Sequence, residues 1–174
     1  MSTDSKSFQF NEKPLQEILG VFNSRFKFRL MLLGRLPMGF LSGMYVKTLT
    51  RERCEVVLKY KWLNKNPFRS MFWAVLGMAA EMSSGAFTVL YTHGQKPSVA
   101  TLVTGTSAKF YKKAVGRITF VCESGQMIAD AVRQTVATGE GVEVTCPMKG
   151  INEAGEVVCE FSFTWSLKAR LPKA

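Results

Sequence analysis

At 174 residues, 47% hydrophobic and 21% charged, the chain is long enough to bury a core and short enough to be one domain. Its four cysteines show no CxxC spacing and its single histidine is His93, which argues against a disulfide framework and an ordinary zinc site. The first residues are polar, carry Asp4 and lead into no apolar stretch, so no secretory leader and a reduced, cytoplasmic protein are expected. A net charge of +10 implies an anionic partner, be it nucleic acid, an anionic membrane face or a phosphorylated small molecule.

From Pro14 onward, Leu15, Ile18, Leu19, Phe22, Phe26 and Leu33 recur at helical spacing beside Arg25, Lys27, Arg29 and Arg35. The spacing predicts one N-terminal amphipathic helix ending near Pro37. It sets off residues 1–36 as a helical extension packed on a domain of residues 37–174, with a basic membrane-surface helix as the alternative. Pro37, Gly39 and Gly43 mark a loop. Residues 44–49 and 54–60 read as a hairpin around the polar turn Thr50, Arg51, Glu52 and Arg53.

A polar stretch from Asn64 to Ser70 then precedes an apolar run over residues 71–91, for which Ser70 is the expected N-cap. The run is long enough to span a bilayer. Glu81 at its midpoint, the serines 83 and 84, and the glycines 77 and 85 argue instead for a buried central helix, because a central acid is costly in lipid. Strand-like runs on both sides argue the same. Beyond the turn holding His93 and Gly94, residues 99–111 and 116–123 read as strands. A short helix follows, with Ile128, Ala131, Val132 and Val136 on one face. Residues 142–150 and 157–168 form the last hairpin, with Phe161, Phe163, Trp165 and Leu167 on one buried face. Cys122, Cys146 and Cys159 sit in these strands as small hydrophobes.

Three stretches carry a family resemblance: Asn66 through Glu81, Thr106 through Arg117, and Asn152 through Val158. From about residue 37 to 170 the chain resembles the hotdog-fold thioesterase superfamily, in particular its DUF4442 group of thioesterase-like proteins. The resemblance implies an α+β hotdog fold, in which a long central helix is wrapped by an antiparallel sheet of about six strands. An N-terminal helix and a small helical insertion would be added to it. It also implies a homodimer, with a dimer of dimers as the larger option, and tunnels along the subunit interface that take acyl-CoA or acyl-carrier-protein thioesters. Coenzyme A enters as part of the substrate, with no separate cofactor, metal or nucleic acid. The His-Gly-Gly often found ahead of the helix is absent, its place taken by Pro67, Trp73 and Ala74. A non-catalytic acyl-CoA or fatty-acyl binding protein is therefore the alternative.

Helical spacing places Ala74, Gly77, Met78, Ser84 and Gly85 around Glu81. The sequence offers Glu81 no basic partner at i±4. Apolar surroundings would raise its pKa and suit it as general base or nucleophile toward a thioester. Asn66 would orient water or the carbonyl, and the backbone amides of Trp73 and Ala74 would hold the oxyanion. Arg69, Ser70, Gly77, Ser84, Lys109, Lys112, Lys113 and Arg117 are the expected substrate-binding residues, the cations facing the phosphates of coenzyme A. Phe68, Phe72, Trp73, Phe87 and Phe110 suggest apolar cargo. His93 reads as a turn residue, which disfavours Ser-His-Asp chemistry.

Overall fold

Alternation of apolar and polar side chains along the last two strands builds the sheet's C-terminal hairpin, since successive strand side chains point to opposite faces. In the computed structural model, which describes residues 8–170, β5 (Val142–Ile151) and β6 (Val157–Ala169) pair antiparallel over nearly their whole length. They set Val144 opposite Trp165, Cys146 opposite Phe163 and Met148 opposite Phe161 on the inner face. The remaining strands are β1 (Tyr45–Leu49), β2 (Cys54–Lys59), β3 (Val99–Phe110) and β4 (Arg117–Cys122). Together they form a six-stranded sheet in the order β1-β2-β4-β5-β6-β3, all neighbours antiparallel. The predicted hairpins are thus present, and β3 is left as a long edge.

The apolar run becomes α4 (Trp73–Thr92), which packs across β2, β4, β5 and β6. By length and composition α4 could cross a membrane. Leu76, Ala79, Ala80, Ala86, Phe87 and Leu90 are instead wholly or almost wholly buried in the protein core, so it is the expected central helix. The insertion, α5 (Gly125–Thr138), packs on α4, β5 and β6. Its buried Thr135 accepts the Ala169 N–H at 2.9 Å and donates to the Glu140 carbonyl at 2.6 Å, so the end of β6 is satisfied from the helix.

Two local expectations are corrected. The N-terminal segment is broken into α1 (Glu12–Phe22) and α2 (Arg25–Arg35). Asn23 caps the end of α1, and its side chain bonds both the N–H and the carbonyl of Leu49, while Ser24 restarts the chain by accepting the Lys27 N–H. A turn residue that hydrogen-bonds to β1 overrides a continuous helical period. The loop expected at Pro37 is a short helix, α3 (Pro37–Ser42), with Pro at its first turn and Gly43 at φ 75° after it, the usual asymmetry of Pro inside the start and Gly past the end. Leu15, Ile18 and Phe22 of α1 and Phe28 and Leu32 of α2 join one hydrophobic cluster with α4 and the sheet.

The turn between β1 and β2 locks onto the insertion. The Gly125 N–H donates to the Glu52 carbonyl at 3.2 Å, and the Tyr91 hydroxyl donates to the Arg51 carbonyl at 2.8 Å. A Cβ on Gly125 would lie 2.0 Å from the Arg51 carbonyl oxygen. Backbone cannot yield as a flexible side chain can, so Gly125→Ala should cost about 2–3 kcal/mol. Thermal denaturation should show a melting point lower by roughly 4–12 °C.

Candidate active site

Glu81 owes its position to how α4 is seated. A Cβ on Gly77 would stand 3.7 Å from the Phe161 ring and one on Gly85 3.4 Å from Trp165, both ordinary contact distances, so these positions face the aromatic row of β6. The Trp165 indole N–H donates to the Ser84 hydroxyl at 3.0 Å, and that hydroxyl donates to the Glu81 carbonyl at 3.1 Å. Gly77 and Ser84, expected to contact substrate, therefore contact the sheet, and neither lines the cavity.

Glu81 itself lines a cavity of about 990 Å³, at the upper end of the range for small-molecule sites. Met78, Met82, Gly85, Thr88 and Val89 of α4 form its floor, with Trp165 and Thr101 from the sheet. Its other wall comes from α1 and α2, through Ile18, Val21, Phe22, Leu30 and Met31, with Lys27 and Arg35 also on the lining. Among the described residues the Glu81 carboxylate makes no ion pair, and burial alone raises its pKa above the ordinary value. Such a desolvated acid is the pattern of a catalytic base. His93, at the end of α4, lies on the same lining.

A second hollow of about 340 Å³ lies at the other end of α4, lined by Asn66, Ser70, Trp73, Lys112 and Lys113. Helix α4 begins at Trp73, with Phe72 as its N-cap and no side chain bonding the first turn. Ser70, expected in that role, instead bridges to Ala114, accepting its N–H at 3.0 Å and donating to its carbonyl at 3.3 Å. The amides of Trp73 and Ala74 consequently find no acceptor among the described residues, leaving the helix N-terminus able to receive a negative oxygen. Asn66 is largely occupied by its own loop. Its side-chain oxygen accepts the N–H groups of Phe68 and Ser70 at 2.9 and 3.2 Å, and its amide donates to the Met71 carbonyl at 3.2 Å. Arg69, at the tip, is the one non-glycine residue at positive φ among those described.

The cations divide into paired and unpaired. Lys112 pairs with Glu156 and Arg117 with Glu153, whereas Lys109, Lys113 and Arg69 form no ion pair among the described residues. Of the aromatics, Phe87 is buried in the core, whereas Phe68, Phe72, Trp73 and Phe110 are exposed. The four cysteines are free and buried. Burial pushes the Cys159 thiol, on the smaller hollow, up to about 12, so it supplies no thiolate nucleophile. No group of three or more metal-binding side chains occurs among the described residues.

Within one chain, then, Glu81 and the segment from Asn66 to Trp73 line different hollows. Ala74 lies two turns before Glu81, about 10 Å along the axis. The wall built by α1 and α2 was not anticipated from sequence, although Val21, Leu30 and Met31 continue the same helical periods.

Because Glu81 holds its proton more tightly folded than unfolded, stability falls as pH rises from the usual glutamate range through its raised pKa. Glu81→Gln should melt higher than the parent at neutral pH. The gain should vanish well below the ordinary glutamate pKa of about 4.3, as paired thermal melts would show.

Solved structures of other proteins share this architecture. A Pseudomonas aeruginosa protein of unknown function, called a probable thioesterase, superposes with a TM-score of 0.70 at 20% identity, over 87% of this chain and 100% of that one. A Haemophilus influenzae thioesterase gives 0.63 at 12% identity, over 86% and 93%. A Chlorobaculum tepidum protein of unknown function gives 0.71 at 14% identity, over 92% and 98%. No curated protein matches the sequence. The fold is the thioesterase-like hotdog fold, as the resemblance in the sequence implied. Residues 28–167 match the family described as a domain of unknown function, DUF4442, and the chain belongs to that family.

Proposed function

We propose that the protein hydrolyses an acyl thioester of coenzyme A or an acyl carrier protein, with Glu81 as general base or nucleophile. The observation that carries this is the desolvated carboxylate of Glu81 on the floor of a large, mostly apolar cavity whose other carboxylate, Glu17, is exposed, on a fold shared with thioesterases. An acyl chain would occupy the cavity. The unengaged amides of Trp73 and Ala74 would stabilise the oxyanion, with Asn66 holding their loop in shape.

A homodimer is part of the proposal. β3 is twelve residues long and forms one edge of the sheet. An uncovered edge of that length invites pairing with another strand. Leu102 and Phe110 on it are 65% and 51% exposed. Pairing β3 with its copy about a twofold axis would cover that edge and could bring one protomer's first turn of α4 toward the other's Glu81. The reaction would run in a reduced, cytoplasmic setting, consistent with four free cysteines.

Release of free thiol from a panel of acyl-CoA substrates tests the proposal. Glu81→Gln should lower the rate at least about a hundredfold, the scale of acid–base catalysis, with the fold retained by melting. The parent rate should climb as pH rises through the raised pKa of Glu81. Equal rates for the two proteins would remove Glu81 from the mechanism. The separation of the two hollows within one chain favours a second reading, an acyl-CoA binding protein without turnover. It would show as a melting point raised by acyl-CoA with no thiol released.

The phosphates of coenzyme A are assigned to Lys113, the unpaired cation that lines the smaller hollow, and to Arg69, next to the lining residue Ser70, with Lys109, Lys112 and Arg117 contributing to the local positive field. Lys113→Ala should raise KM for acyl-CoA about five- to tenfold, the scale of one charge-assisted contact, and leave kcat nearly unchanged. An acyl-pantetheine lacking the nucleotide phosphates should show no such change.

A further inference from the structure

The outer surface of the N-terminal helices carries an apolar face most of which lies outside the lining of the Glu81 cavity. Helix α2 is apolar on two sides. Phe28 and Leu32 point into the core and are fully buried, while Phe26, Leu30 and Leu33, spaced four and three residues apart, are 78%, 61% and 53% exposed. Met38 and Leu41 extend this face onto α3, which packs against α2 and against the 3₁₀ turn that presents Trp62. An exposed apolar surface of this extent marks an interaction site.

Its charge selects the partner. Between Glu17 and Glu52 the sequence contains no acidic residue; of the cations in that interval Lys47 and Arg51 are paired with Glu55 and Glu12, whereas Arg25, Lys27, Arg29 and Arg35 form no ion pair among the described residues. Two of these cations are held in place beside the apolar stripe, Arg25 over the Tyr45 ring at 4.1 Å and Arg29 over the Phe40 ring at 4.5 Å. The Lys61 ammonium is held at the Leu41 carbonyl, 2.8 Å away. A second copy seated here about a twofold axis would set these cations against themselves. An anionic lipid surface instead satisfies both halves of the pattern, with side chains entering the acyl boundary and cations meeting phosphates.

We propose that the outer face of α2 and α3 docks the protein onto an anionic lipid bilayer, with Phe26, Leu30, Leu33, Met38 and Leu41 entering the headgroup region. Leu30, Lys27 and Arg35 belong both to this face or its basic margin and to the lining of the Glu81 cavity. Docking would therefore hold the cavity against the membrane. If the thioester reading is right, apolar acyl chains would then reach Glu81 from the lipid side. The docking itself stands without that reading.

Co-sedimentation of the full chain with vesicles is the test, comparing phosphatidylcholine alone with mixtures containing phosphatidylglycerol. The protein should partition onto the anionic vesicles and release as salt is raised. The double variant Phe26→Ser, Leu33→Ser, neither residue lining the cavity, should partition at least about tenfold less at an unchanged melting temperature. Met38→Ser with Leu41→Ser supplies an independent pair if the first melts low. No preference for anionic vesicles, or equal partitioning by both double variants, would overturn the inference. So would a variant that changes only the oligomer size on a sizing column, which would assign the face to a second copy. Turnover of a short-chain soluble thioester reports on Glu81 separately. The serine variants should leave it unchanged, so docking and hydrolysis can each fail without the other.

Discussion

The arrangement of the molecule depends on the contact between α4 and the aromatic row of β6. Gly77 and Gly85 face Phe161 and Trp165, and the Trp165 indole fixes the helix through Ser84. Glu81 sits four residues from each glycine, on the same helical face. Its carboxylate lies on the lining of the cavity shared by α4 and the N-terminal helices, where it loses solvent without gaining an ion-pair partner among the described residues. The raised pKa of Glu81 follows from burial, to which the helix, the sheet and the N-terminal helices all contribute.

That contact also explains why the second wall of the cavity comes from elsewhere. Where α4 leaves the sheet, α1 and α2 lean over Met78, Met82 and Val89, held by the core side chains Leu15, Phe22, Phe28 and Leu32 and by Asn23 bonded to Leu49. Helix α2 also turns a side outward, with Phe26 and Leu33 exposed and Leu30 shared between that side and the cavity lining. One short helix thereby serves a core, a cavity and a surface. Only a helix with apolar residues well beyond a single stripe can do so.

At the far end, the polar loop before α4 is organised by its own hydrogen bonds. Asn66 closes the loop and Ser70 ties it to Ala114, and the first amides of the helix are left unengaged. Lys112 and Arg117 are neutralised by the acids of the β5–β6 turn. The positive field there rests chiefly on Lys109, Lys113 and Arg69. These features and the Glu81 cavity are separate in a single chain, and the long edge of β3 is the structural means by which two chains could join them.

Periodicity in the sequence was sufficient for much of the fold. Alternation from Val142 to Leu167 predicted the last hairpin and its buried aromatic face. The apolar run interrupted by Glu81 predicted a buried helix, because flanking strands and a central acid are incompatible with a lone span. Local capping was legible but ambiguous. Asn23 and Ser24 break the N-terminal helix through a bond to Leu49, a residue distant in sequence, and Ser70 is drawn from its capping role by Ala114 in the same way. What the small residues around Glu81 accommodate was decided only by tertiary structure. Helical spacing puts Gly77, Ser84 and Gly85 near the acid, yet whether a small side chain leaves space for a ligand or for a neighbouring ring depends on what packs opposite. Here Phe161 stands opposite Gly77 and Trp165 bonds Ser84, burying large aromatic surface in the core, and of the three only Gly85 also lines the cavity. The cavity opens instead beneath the N-terminal helices, a pairing of distant segments that no local pattern encodes.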